Sequence, residues 1–131
     1  MALIERRASI IRLAYKRAQI WESVDSRLEV SGQKAFLAAA HNEGAALSDI
    51  ARELDISSSA AFRWLAYWGT GSWQLNKTRR EGKGYLVTRP DPEDSRVKRV
   101  YLTERGRELV DRLVRLDEQY WSKANADPQD D

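Results

Sequence analysis

Cysteine is absent from the 131-residue chain. That excludes disulfides, thiolate metal sites and cysteine redox sensing, and it fits a reducing, cytoplasmic setting. Histidine is nearly absent too: His41 stands alone, so a histidine metal cluster is excluded. No glycine-rich phosphate loop of the nucleotide-binding type is present, and the carboxylates form no recognisable catalytic pair. No apolar run approaches the roughly 20 residues that a membrane span needs. Glu5, Arg6, Arg7 and Arg12 interrupt the first stretch, so no secretory signal is expected. Internal repeats and low-complexity linkers are lacking as well. Together these gaps argue against an enzyme, a resident cofactor or metal, and a membrane partner.

What is present suits a soluble helical domain: 42% of residues are apolar and 32% charged. The formal net charge of +2 conceals an asymmetry. From Ser57 to Arg107 there are eleven basic and five acidic residues, a net of +6, while the rest of the chain has eleven basic and fifteen acidic ones, a net of −4. A basic segment in a near-neutral chain points to a localised polyanion-binding face. A solvated charged surface is the plainer alternative.

Apolar spacing predicts a long first helix from about Leu3 to Leu28, with Ile4, Ile11, Trp21 and Leu28 on its stripe. A stripe of that length exceeds what a small domain covers, so a second copy of the chain is the expected partner. Ser31 is the expected cap of a second helix that carries Phe36 and Leu37 and stops near Gly44. Ser48 is the expected cap of a short third helix. A tight turn at Asp55-Ile56-Ser57 leads into a fourth, starting at Ser58 or Ser59, with Ala61, Phe62, Leu65 and Trp68 on a helical period. Gly69 to Lys83 reads as either a helix extension or a loop. Tyr85 to Arg89 and Val97 to Leu102 read as two strands around the turn chemistry of Pro90-Asp91-Pro92-Glu93-Asp94. Thr103 caps a last helix from about Glu104 to Lys123, on which Leu113, Tyr120 and Trp121 are apolar.

The expected fold is therefore mainly α with a small β-hairpin, in the order of a winged helix-turn-helix. It forms one domain over 1–125. Residues 1–30 and 103–124 are the dimerisation helices, 47–102 is the DNA-binding part, and 126–131 is an acidic disordered tail. In such a fold the helix after the tight turn enters the major groove with its first residues near the base edges. Ser57, Ser58, Ser59 and Arg63 are its polar members. Arg63 is the base-edge candidate, because a guanidinium can pair both acceptors of guanine. The serines either reach phosphate or cap the helix. Two packed core helices with no nucleic-acid role would show the same spacing.

The hairpin carries a more specific signal. Asp94-Ser95-Arg96, a short strand, then Leu102-Thr103-Glu104-Arg105-Gly106 follow the pattern acidic, any, arginine, strand, Leu-Thr-x-x-Gly. With Tyr85 to Pro92 before it and Leu47 to Leu54 upstream, this resembles the MarR family of bacterial and archaeal regulators over about two-thirds of the chain. The resemblance implies a sequence-specific DNA-binding transcriptional regulator, a repressor, acting in the cytoplasm as a homodimer on an inverted repeat. It implies that Arg96 enters the minor groove at the wing tip and that Asp94 orients it. It also implies that Arg89, Lys98 and Arg99 flank the wing and touch phosphate. The first and last helices would form the dimer interface, with Ile4, Ile11, Trp21, Leu113, Tyr120 and Trp121 as anchors.

One segment departs from the family pattern. Between Gly69 and Lys83 lie roughly a dozen extra residues with their own cations, Lys77, Arg79 and Arg80 among them. These three join the expected DNA-contacting set. Trp64, Tyr67, Trp68 and Trp73 cluster nearby. Core packing is the stronger reading of that cluster, and a pocket for a small aromatic effector is the weaker one. A non-catalytic protein-interaction module, or a non-specific DNA-binding protein, is the alternative function.

Overall fold

The computed structural model describes residues 3–73 and 79–124. Helix α1 spans Leu3–Val24, α2 Val30–His41, α3 Leu47–Leu54 and α4 Ser58–Trp68. Two minimal strands follow, β1 at Ser72–Trp73 and β2 at Arg79–Arg80, then β3 at Leu86–Pro90 and β4 at Lys98–Leu102. Helix α5 spans Glu104–Ala124. Among the described residues no helix is long and apolar enough to cross a membrane. The chain divides into two compact units: residues up to Leu28 together with those from Leu109 onward, and Glu29–Glu108.

The second unit holds the helix-turn-helix and the hairpin. Its core is made of Ala35, Phe36, Ala38, Ala39, Ile50, Ala51, Ala61, Trp68, Tyr85, Leu86, Val100 and Leu102, all buried. Alanines at the helix crossings let the backbones approach, and three aromatic rings fill the space at the end of α4. Trp68 lies 5.1 Å from Phe36 and stacks on Tyr85 at 5.6 Å between ring centroids. Its indole N–H donates to the Gly32 carbonyl at 2.9 Å, which satisfies the one polar atom of a fully buried side chain.

Strands β3 and β4 pair antiparallel, from Leu86 opposite Leu102 to Pro90 opposite Lys98. The α2–α3 connection adds a third edge. Gly44 N–H donates to the Val100 carbonyl at 2.8 Å, and Val100 N–H donates to the Ala45 carbonyl at 3.0 Å. Alternation puts Val100 and Leu102 inward, as their spacing predicts. Thr103 caps α5 as expected: its hydroxyl accepts from Gly106 N–H at 3.1 Å and donates to the Gly84 carbonyl at 2.7 Å. Gly106 has to be glycine, because a Cβ there would stand 2.1 Å from the Tyr85 carbonyl oxygen.

Several sequence expectations are corrected. Helix α1 stops at Val24, not Leu28, because the Asp25 carboxylate accepts from Arg27 N–H at 3.0 Å and stabilises a turn. Ser31 does not cap α2. Glu29 holds that position without a side-chain bond, and α2 begins at Val30. Ser48 likewise lies inside α3, whose cap position is Ala46. The Gly69–Lys83 segment is neither a helix extension nor a plain loop. It contains a second short antiparallel pairing, Ser72 opposite Arg80 and Trp73 opposite Arg79.

In the first unit, α1 and the greater part of α5 are tied by an Arg17–Asp117 ion pair and by an Arg112 to Ser23 hydrogen bond of 3.1 Å. Both helices leave apolar side chains in solvent: Ile4 is 80% exposed, Ile11 64% and Trp121 53%. Leu113 and Tyr120 are half-buried. Trp21 is buried within the single chain, so it offers almost no surface to a second copy. The acidic tail at 126–131 lies outside the described residues.

Candidate nucleic-acid interface

The turn between α3 and α4 is built on one left-handed residue. Asp55 adopts φ 54° and ψ 48°, a conformation a short polar side chain tolerates better than most. Ile56 N–H donates back to the Ala51 carbonyl at 3.1 Å, which fixes the angle at which α4 leaves. Ser57 then caps α4, its hydroxyl accepting from Ala60 N–H at 3.1 Å. Of the two roles open to Ser57, capping is the one present in the structure. Ser58 and Ser59 are exposed on the first turn. Arg63 is exposed one turn further on, and it has neither a hydrogen bond nor an ion pair among the described residues. An unpaired guanidinium on a helix surface keeps all its donors for a ligand.

The end of α4 is clamped. Tyr85 N–H donates to the Trp68 carbonyl at 2.7 Å and Lys83 N–H to the Tyr67 carbonyl at 2.8 Å, so the chain returning from β2 satisfies the helix's last carbonyls. Gly82 makes this return possible, since a Cβ there would meet the Gly69 carbonyl oxygen at 2.1 Å. The extra segment is thus rooted on the C-terminal end of α4. Arg79 and Arg80 form β2, and Lys77 lies outside the described residues.

The turn between β3 and β4 is a network of carboxylates. Asp91 Oδ1 accepts from Glu93 N–H at 2.7 Å and from Asp94 N–H at 3.2 Å. Its other oxygen accepts from Arg99 Nε at 2.7 Å, and Arg99 also donates to the Gly44 carbonyl at 2.9 Å. The Glu93 backbone N–H and then the Arg99 guanidinium hold the Asp91 carboxyl below its ordinary value of 3.8. The same pairing with Asp91 raises Arg99. Arg99 was expected among the phosphate contacts. In the structure its guanidinium joins the hairpin turn to the α2–α3 loop and supports the wing.

Asp94 pairs with Arg96, the residue that the resemblance implies it orients. Arg96 Nε and a terminal nitrogen donate to the two Asp94 oxygens at 3.1 and 3.2 Å, and Arg96 N–H adds a third bond at 3.1 Å. The Arg96 side-chain bond, followed by its backbone bond, lowers the Asp94 pKa. The Arg96 side chain is still 90% exposed, so the fork is oriented without being covered. Lys98 is exposed and donates to the Ser95 carbonyl at 3.4 Å. Arg89 is exposed, with its guanidinium 5.0 Å from the centre of the Tyr101 ring.

The two halves of this surface meet in an open groove. About 210 Å³ of free space lies between the outward side of α4 and the hairpin, bordered by Phe62, Ala66, Val87, Thr88 and Lys98 among others. Lys98 therefore faces the same groove as α4. Phe62 shares the helical period of α4, and the structure leaves it 63% exposed. Ala61 and Trp68 mark the buried face, and Phe62 lies about 100° away from Ala61 on the helical wheel. Asp91 was read as turn chemistry alone, and its bond to Arg99 went unseen. Of the aromatic cluster, Trp68 is buried, Trp64 and Tyr67 are half-buried, and the Trp73 side chain lies outside the described residues. Tyr67 and Trp68 pack edge to face at 5.0 Å, and the space beside Trp64 and Trp68 is about 20 Å³, no more than a water molecule needs.

No family model matches the sequence, and no curated protein matches it. Solved structures do. The chain superposes on the MepR–DNA complex of S. aureus with a TM-score of 0.64 at 21% identity, covering 94% of this chain and 89% of that one. It superposes on MarR at 0.53 with 15% identity, covering 94% and 81%. PcaV of Streptomyces coelicolor, solved with its natural ligand, matches at 0.54 with 18% identity, covering 92% and 80%. Among the described residues, five helices with an antiparallel hairpin before the last one give this chain the winged-helix fold of the MarR-type structures.

Proposed function

We propose that the chain is a sequence-specific, double-stranded DNA-binding transcriptional regulator, a repressor without enzymatic activity that works in the cytoplasm as a homodimer on an inverted repeat. The observation that carries this reading is the surface shared by α4 and the hairpin. The unpaired Arg63 lies on the exposed side of α4, and Lys98 borders the groove that this helix lines. Arg96 is held by Asp94 at the turn that follows β3. Arg63 reads base edges in the major groove, and Arg96 enters the flanking minor groove, where negative potential attracts guanidinium. Ser58, Ser59, Arg89 and Lys98 hold phosphate, as do Lys77, Arg79 and Arg80 of the extra segment. The DNA complex solved for MepR, which has the same fold, supports the reading.

The exposed stripe of Ile4, Ile11 and Trp121, with Leu113 and Tyr120 beside it, supports a second copy as the dimer partner. Such a dimer places two α4 helices in successive major grooves, roughly 10 base pairs apart. The PcaV structure with its natural ligand supports a small effector.

Selection from a random duplex pool tests the proposal. Enrichment of an inverted repeat with half-sites about one helical turn apart is the expected result. Binding with no enrichment would leave a non-specific DNA-binding protein. Retention of no duplex would turn the groove into a protein-docking surface. Sedimentation tests the dimer separately: a monomer at micromolar concentration would remove the two-half-site geometry.

A further inference from the structure

Phe62 is an aromatic ring that the core of the second unit does not use. It is 63% exposed, while Ala61 and Trp68 of the same helix are buried. It neighbours the exposed Arg63, one turn beyond the exposed Ser58 and Ser59. It also borders the groove with Ala66, Val87, Thr88 and Lys98. A ring in this position leaves a large apolar surface in water, framed by two cations. The partner that covers it therefore presents an apolar spot flanked by negative charge. The major groove of duplex DNA has that pattern. Phosphates line its edges, and the thymine 5-methyl is the apolar group on its floor.

We propose that Phe62 is a specificity residue that packs on a thymine 5-methyl in each half-site, beside the base edge read by Arg63. This rests on the DNA-binding reading above. The ring contributes no hydrogen bond. It separates thymine from cytosine at its position by apolar contact, and Arg63 supplies the polar reading next to it.

The test uses deoxyuridine, which keeps the pairing edge and the phosphates of thymidine and lacks only the methyl. Duplexes enriched by the wild-type protein are resynthesised with deoxyuridine at each thymidine in turn, and affinities are read by fluorescence anisotropy. At one or two positions per half-site the wild type is expected to bind about fourfold more weakly, the value of one buried methyl. Phe62→Ala is expected to bind the thymidine duplex more weakly and to lose its preference over deoxyuridine at those positions. Phe62→Leu is expected to keep part of that preference. The ring is exposed, so both variants are expected to melt with the wild type in circular dichroism. If the wild type enriches a duplex but no thymidine position is sensitive, this inference falls and the DNA-binding reading stands. The same holds if Phe62→Ala keeps the full preference. If no duplex is enriched, both fall.

Discussion

Replacing Trp68 tests whether helix α4 is held in place by packing at its far end. Trp68 is 0% exposed, and its ring meets Phe36, Tyr67 and Tyr85 at 5.1, 5.0 and 5.6 Å between centroids. Its indole N–H adds the 2.9 Å bond to Gly32, and its carbonyl receives Tyr85 N–H at 2.7 Å. Trp68→Ala removes the ring from a site where α2, α4 and the segment leading into β3 converge, so the space cannot close without moving α4. Large-to-small changes of this kind cost about 3–5 kcal/mol, a large share of the roughly 5–15 kcal/mol that holds a domain together. Trp68→Phe keeps most of the apolar contact and loses the hydrogen bond and part of the volume, for a cost of about 2 kcal/mol. Urea unfolding followed by far-ultraviolet circular dichroism reads both, with the slope unchanged and the midpoint lowered. A cost below about 1 kcal/mol for Trp68→Ala would refute the reasoning. So would equal costs for the two variants.

Three other changes have defined outcomes. Arg96→Ala should weaken DNA binding by about 1–3 kcal/mol with melting unchanged, and equal affinity would contradict the minor-groove role. Asp91→Asn should lower stability by an amount that depends on pH. The Asp91 pKa is depressed in the folded state, so its contribution is present above the ordinary value of 3.8 and is lost as pH falls through the folded value. The stability gap to wild type should be flat from about pH 5 to 8 and close below about pH 4, and a gap that widened in acid would contradict the Asp91–Arg99 account. Gly106→Ala should destabilise by about 1–3 kcal/mol in thermal melts, despite alanine's better helix propensity, because its Cβ would stand 2.1 Å from the Tyr85 oxygen. A neutral result would mean that the start of α5 gives way easily.

The hairpin was legible in the sequence because two local signals agree there. Val100 and Leu102 alternate with polar neighbours, and Pro90 to Asp94 is turn chemistry. The tight turn at Asp55 was legible for a similar reason. Helix starts were less so: serines at 31 and 48 look like caps, but the cap positions lie two residues earlier, at Glu29 and Ala46. The strands β1 and β2 have two residues each, too few for an alternating pattern to show. In the candidate site, the Asp94–Arg96 pair lies two residues apart and is a local feature. Asp91 with Arg99 and Gly44 joins residues across a turn and across 55 positions of chain, which spacing does not reveal. The exposure of Phe62 is not legible from its apolar character, which a buried side chain shares.

The central claim is that the α4 and hairpin surface holds DNA, and anisotropy across a salt series measures it most directly. The wild type is compared with an Arg63→Gln, Arg96→Gln double variant on labelled duplex. The expected result is binding whose logarithm falls linearly with the logarithm of salt, by about 0.9 per phosphate contact, with weaker affinity for the double variant. No binding at low salt, or equal binding by the double variant, would contradict it.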